Sequence, residues 1–110
     1  MRLPNGANAV IDLRKLTEYA LNSEHEDGKH KAHLFRELLG IGLENMDVLI
    51  DAIKHAAATC DAVLAKRDRY GERYVVDFSF AGPIRSVTVR TAWILRIGRN
   101  FLELVTCYIL

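Results

Sequence analysis

The stretch YGERYVVDFSFAGPIRSVTVRTAWILRIGRNFLELVTCYIL, Tyr70–Leu110, decides the fold. Tyr70-Gly71 and Gly82-Pro83 are turn dipeptides, and Gly98-Arg99-Asn100 makes a third break. Between these breaks run Glu72–Phe80, Ser86–Arg96 and Phe101–Ile109, rich in Val, Tyr, Phe and Thr, and the short Ala62–Arg67 precedes them. The connections leave no room for crossover helices, so the spacing predicts four strands in an antiparallel meander.

Upstream, the apolar period is helical. Asp12 is placed to cap a helix over Leu13–Leu21, because its carboxylate can accept free first-turn amides. After the polar Asn22–Gly28, a second helix over Lys29–Leu39 carries Ala32, Phe35, Leu38 and Leu39 as its stripe. Gly40 follows, where a left-handed terminator favours glycine. A third helix, about Asn45–Thr59, carries Met46, Leu49, Ile50, Ile53 and Ala57 on one side. The pattern predicts an α+β domain: two or three N-terminal helices packed on one face of the meander, with Leu16, Phe35, Leu49, Ile53 and Trp93 in the core. Before the first helix, Ala9-Val10-Ile11 reads as a short extended run.

The 110 residues fit a single domain, 1–110, and at 50% hydrophobic and 26% charged they form an ordinary globular composition. No run approaches the roughly 20 apolar residues of a membrane span. Met1–Gly6 breaks before an apolar leader develops, so a cytoplasmic protein with reduced Cys60 and Cys107 is expected. The net charge of +1 excludes a strongly basic protein, although basic groups gather in Lys29–Arg36, Lys66–Arg73 and Arg85–Arg99.

Two groups of residues carry chemistry. The first is Glu24–Ala32, where His25, Lys29, His30 and Lys31 surround Gly28 as a loop enters a helix. A helix start presents free amides and a positive dipole to an anion, and His25 is of a type that exchanges protons near neutrality. A solvated loop with idle histidines is the plain alternative. His25, His30 and His33 do not make a metal site, since on a helix from Lys29 only the last two share a face and no Cys or carboxylate completes the set. His55 reads as ordinary helix surface.

The second group lies on the strands. Alternation places Arg90 with Ser86, Thr88 and Ala92, and Thr91 on the other face with Val87, Val89 and Trp93. On the last strand, Thr106 and Tyr108 share a face with Leu102 and Leu104. An arginine among hydroxyl-bearing neighbours is what a phosphate clamp requires. Its alternative is a cross-strand ion pair with Asp77 or Glu103. Trp93 is read as core.

Taken in order, Leu3-Pro4-Asn5, Arg14-Lys15-Leu16, Tyr19, Leu21-Asn22, Glu24-His25, Gly28, Lys31-Ala32, Phe35, Leu39-Gly40, Tyr70-Gly71, Tyr74, Asp77, Gly82, Val89-Arg90, Trp93-Ile94 and Leu104–Tyr108 resemble one family. It is an uncharacterised bacterial family of short proteins carrying a domain of unknown function, found as solitary small genes, often beside a second small gene, and as C-terminal modules of larger secreted toxins. The resemblance spans nearly the whole chain, and His-x-x-Gly-x-x-Lys-Ala, His25 to Ala32 here, is its most specific part. The chain departs from it mildly at Gly6 and Tyr108-Ile109. More remotely, the helices-then-meander order is similar to the toxin ribonucleases that include barnase, the colicin tRNases and the RelE-type interferases.

That resemblance implies a metal-independent endoribonuclease, the toxin of a toxin–antitoxin or polymorphic-toxin system, cleaving RNA by attack of its 2′-hydroxyl. His25 would be base or acid, Lys31 and Arg90 would stabilise phosphate charge, and Thr91, Thr106 and Tyr108 would bind phosphate or supply the acid, with Lys29 and His30 as lesser members. No cofactor is expected, and RNA and a small cognate antitoxin are the expected partners. The alternative is a non-catalytic interaction module: an antitoxin, immunity or adaptor protein.

Overall fold

A computed structural model describes residues 1–17, 29–83 and 85–110, with Lys29 and His30 described in backbone only. Two α-helices, α1 (Lys29–Leu39) and α2 (Met46–Thr59), precede strands β1 (Val63–Asp68), β2 (Gly71–Ala81), β3 (Ser86–Arg96) and β4 (Glu103–Ile109). The sheet order is β1-β2-β3-β4, every neighbouring pair antiparallel, so the chain is α+β with the expected meander.

The helix boundaries follow local chemistry. Asp12 Oδ1 accepts the Arg14 amide at 3.0 Å, and a helical turn covers residues 14–17. The remainder of the helix expected to reach Leu21 lies outside the described residues, so two α-helices are seen rather than three. Gly40 ends α1 at φ 67°, its amide bonded to the Arg36 carbonyl. Asn45 then ties the connection: its Nδ2 donates to the Gly40 carbonyl and its Oδ1 accepts the Gly42 amide. A 3₁₀ turn at Leu43–Asn45 replaces the expected first residue of α2.

Leu16, Phe35, Leu49 and Ile53 are fully buried and Trp93 nearly so, in one cluster with Val76, Val89, Leu102 and Cys107. Alternation along β2 and β3 sends Tyr74, Val76, Phe78, Val89, Thr91 and Trp93 into it. α2 packs chiefly against β2 and α1 against β4. Val10, in the expected extended run, adds a bridge to Glu103, accepting the Leu104 amide and donating to the Leu102 carbonyl.

β4 corrects one sequence expectation. It begins at Glu103, and its register slips between Ala92↔Thr106 and Trp93↔Leu104. Val105 is the extra residue of this bulge. The slip breaks simple alternation, so Leu102 and Leu104 are buried in the core while Thr106 and Tyr108 pair with Ala92 and Arg90 on the opposite face.

Thr91 is the one buried polar residue among those described. Its hydroxyl donates to the Val76 carbonyl and accepts from Trp93 Nε1, both at 2.8 Å. Thr91→Val keeps the volume but strands the indole N–H in the core. It is expected to lower unfolding stability by about 1–3 kcal/mol, seen as a lower urea midpoint, whereas Thr91→Ser, which retains the hydroxyl, should lose less. Equal losses for the two would show that the hydroxyl bridge contributes little.

Candidate functional site

The unbroken register of β2 on β3, followed by the bulged register of β4, lines up Asp77, Arg90 and Tyr108 in one row across three strands. The next row is Val75, Ala92 and Thr106. Both rows face away from Val76, Thr91 and Cys107, which point into the core.

Arg90 Nε and Nη2 donate to the two carboxylate oxygens of Asp77, each at 2.9 Å. Of the two partners considered for Arg90, Asp77 is therefore the one it takes, while Glu103 receives Arg96. Arg90 is held protonated well above its ordinary range, first by Asp77 and then by the Tyr108 hydroxyl. Asp77 is lowered below 3.8, chiefly by its hydrogen bond from Arg90 and against a smaller cost of burial. Both side chains are a little over one-third exposed, so solvent screens the pair and its role is to orient rather than to stabilise. The pair engages two of the five guanidinium N–H donors.

Lys31 reaches the same rows from another element. It sits in the first turn of α1, and its ammonium donates to Thr106 Oγ1 at 3.1 Å, 5.1 Å from the centre of the Tyr108 ring. Ala32 and Phe35 are buried against the core, so Lys31 flanks that stripe and passes around the outer edge of β4. Its amine is partly buried, and the distance to the ring suits a cation–π contact. Two cations, two hydroxyl-bearing side chains and a carboxylate thus share one patch. Beside Arg90 and Asp77 lies a hollow of about 320 Å³, bordered also by Asp61, Val63 and Val75. On the core side of β4, burial pushes the Cys107 thiol up to about 12, with the Lys31 charge pulling the other way, so Cys107 is no nucleophile at neutral pH.

The structure brings together Lys31, Arg90, Thr106 and Tyr108 among the residues singled out in the sequence. Thr91 is separated from them: it is fully buried on the other face, and both roles of its hydroxyl are taken. That is the face on which strand alternation places it, opposite Arg90. Lys29 and His30 start α1, but nothing is described of their side chains, and His25 lies outside the described residues. Asp77, read in the sequence as one of two cross-strand partners for Arg90 and as part of the family pattern, emerges as the residue that aims Arg90. Among the described residues, no group of three or more His, Cys, Asp or Glu is gathered as a metal site would need. No described helix is long and apolar enough to cross a membrane.

The pattern of the family described as Domain of unknown function (DUF6883) matches residues 2–110, and the chain belongs to that family. No curated protein matches it. Among solved structures it is similar to a chain of a contact-dependent growth inhibition toxin–immunity protein complex from Klebsiella pneumoniae 342. That likeness has a TM-score of 0.72 over 93% of this chain and 100% of the other, at 18% identity, and is a likeness of fold.

The Asp77–Arg90 pair has a defined pH signature. A carboxylate lowered on folding contributes stability above its unfolded value of 3.8, and that contribution is lost as pH falls through the lower folded value. In a carbon-detected NMR titration, Asp77 should therefore titrate below 3.8 in the wild type and move up towards it in Arg90→Gln. An Asp77 that titrates identically in both proteins would mean the pair does not form in solution.

Proposed function

We propose that this chain is a metal-independent endoribonuclease module of a toxin–immunity system. The observation that carries the proposal is the meeting of Lys31, Arg90, Thr106 and Tyr108 on one sheet face, supplied by α1, β3 and β4. Cleavage at a phosphodiester in RNA has the 2′-oxygen bond to phosphorus while the bond to the 5′-oxygen breaks. A base takes the 2′-hydroxyl proton, an acid gives one to the departing 5′-oxygen, and cations hold the charge that gathers on the phosphorane oxygens. Lys31 and the Arg90 donors that Asp77 does not engage supply cationic hydrogen bonds to the phosphate, with Thr106 as a further phosphate contact. His25 serves as base or acid, with the Tyr108 hydroxyl as the other candidate acid, and Lys29 and His30 are lesser candidates for substrate binding. The similarity of fold to a chain of a toxin–immunity complex supports the biological setting. The requirement for a 2′-hydroxyl makes DNA a non-substrate, and no cofactor enters the reaction.

A second reading has its own observation. Arg90 is already chelated by Asp77, which leaves it less available to an anion than a lone guanidinium would be. That favours a surface that binds protein, as in an immunity or adaptor module.

Purified protein incubated with bulk RNA in EDTA separates the two. The ribonuclease reading expects products ending in 2′,3′-cyclic phosphate, and no cleavage of an oligonucleotide carrying 2′-deoxy sugars throughout. His25→Ala should cost about 10²–10⁴-fold in rate. Lys31→Ala and Arg90→Ala should each cost about 10²–10³-fold, as for lost transition-state donors. Arg90→Ala should unfold at nearly the wild-type temperature, because a partly exposed ion pair contributes little to stability. Intact RNA with the wild-type protein, free of any bound partner, would remove the ribonuclease reading and leave the interaction module.

A further inference from the structure

β2 is longer than the strand that covers its outer side. Pairing with β1 stops at Val63↔Val75, whereas pairing with β3 continues to Ala81↔Ser86. Among the described residues, no strand pairs with the outer side of 76–81, a stretch of roughly 20 Å. The direction of its backbone groups is fixed by the register. The Gly82 amide bonds back to Arg85, so even-numbered residues of β2 turn towards β3. The amides and carbonyls of Asp77, Ser79 and Ala81 therefore point outward.

This edge forms one wall of a groove of about 740 Å³ whose other wall is α2, with Ala52, His55, Ala56 and Thr59 lining it and Arg2 and Phe78 also bordering it. Apart from His55, the side chains of the helix wall are small and leave room for those of an inserted chain. The strand itself carries few of the usual charged guards against pairing, Arg2 being the cation that borders the groove. β1 carries Lys66 and Arg67 along its length, but Ser79 and Ala81 are uncharged and the carboxylate of Asp77 is occupied by Arg90. A strand edge facing a helix across a groove is the geometry in which an extended peptide adds to a sheet.

We infer that this groove takes an extended segment of a partner protein as an added strand on β2. A second copy fits less well, because its own β2 edge stands behind its own α2 and the two helices would meet first. The groove is also continuous with the candidate site: Asp61 and Asp77 border both it and the hollow beside Arg90. A strand seated along Asp77 and Ser79 would reach the side chain that aims Arg90. This matches what an immunity protein must do, and that identity of the partner, though not the docking itself, rests on the toxin reading above.

The test uses the full chain and random linear peptides displayed on phage, followed by amide hydrogen exchange with a synthetic copy of a selected peptide. In the free protein, Asp77, Ser79 and Ala81 amides should exchange fast and Val76, Phe78 and Phe80 slowly. The peptide should slow the first three. Ser79→Pro, which removes one outward amide at an edge position that tolerates proline, should weaken binding about fivefold. Thr59→Trp, which fills the groove from the helix side, should weaken it without touching the strand. The inference is overturned if those three amides are already protected in the free protein, if no peptide is selected, or if binding protects another surface and ignores both substitutions. Dimerisation through this edge in sedimentation would also overturn it, assigning the groove to a second copy. None of these readouts involves RNA cleavage, so failure here and failure of the ribonuclease reading are distinguishable.

Discussion

The unbroken register of β2 on β3, from Gly71↔Arg96 to Ala81↔Ser86, is the constraint on which the rest of the structure depends. With eleven consecutive pairs and no bulge, the period of two assigns every side chain of both strands to one face or the other. A slip of one residue would turn one strand over, burying Asp77 and exposing Val76 and Phe78, or burying Arg90 and exposing Val89 and Trp93. The cost of burying an unpaired charge while losing those apolar contacts makes that alternative untenable. Gly71 closes one end of the hairpin system at φ 144°, where a Cβ would run into the Leu95 carbonyl. The core and the polar rows are thus two consequences of one pairing.

What that register leaves undecided is settled by β4. Had β4 paired without a bulge, Thr106 and Leu104 would have shared a face, and either the core would have lost Leu104 or Arg90 would have lost its hydroxyl neighbours. The extra residue at Val105 lets one strand serve both demands. The placement of α1 along the flank of β4 is the companion device, since a helix centred over the sheet would bury Lys31 or turn it to the wrong side.

Much of this was legible in the sequence and some was not. The strands, α1 with its Gly40 terminator and the five core residues depend on local periodicity and turn chemistry, which a single sequence displays directly. The bulge does not, because LELVTCY alternates well enough to hide it; only the competing claims of the core and of Arg90 reveal which side Thr106 takes. Alternation puts Thr91 on the face of Trp93, opposite Arg90. Its phosphate role comes with the resemblance, and the partner that occupies its hydroxyl, the Trp93 indole N–H, is a tertiary demand that the sequence does not display. Lys31 could be singled out as a cation, but the passage from α1 around an edge strand to Thr106 depends on how the helix docks.

The Asp77–Arg90 pair gives the site its character, and it cuts both ways. A guanidinium on a strand would ordinarily sample many rotamers, and the bidentate carboxylate removes that freedom in advance of any ligand. The same carboxylate offsets much of the charge that would attract an anion from a distance, so long-range steering must come from elsewhere, and Lys31 is the cation placed to supply it at short range. Such a site discriminates by geometry more than by charge. On the proposed reading, a phosphate would have to arrive where the remaining donors of Arg90, the ammonium of Lys31 and the hydroxyls of Thr106 and Tyr108 can meet it together, and an anion that touched only one of them would gain little against water. A protein partner that displaced or locked Asp77 would alter that geometry without entering the site, which is why the aiming residue, rather than the cation it holds, is the point at which binding at the β2 edge would be felt.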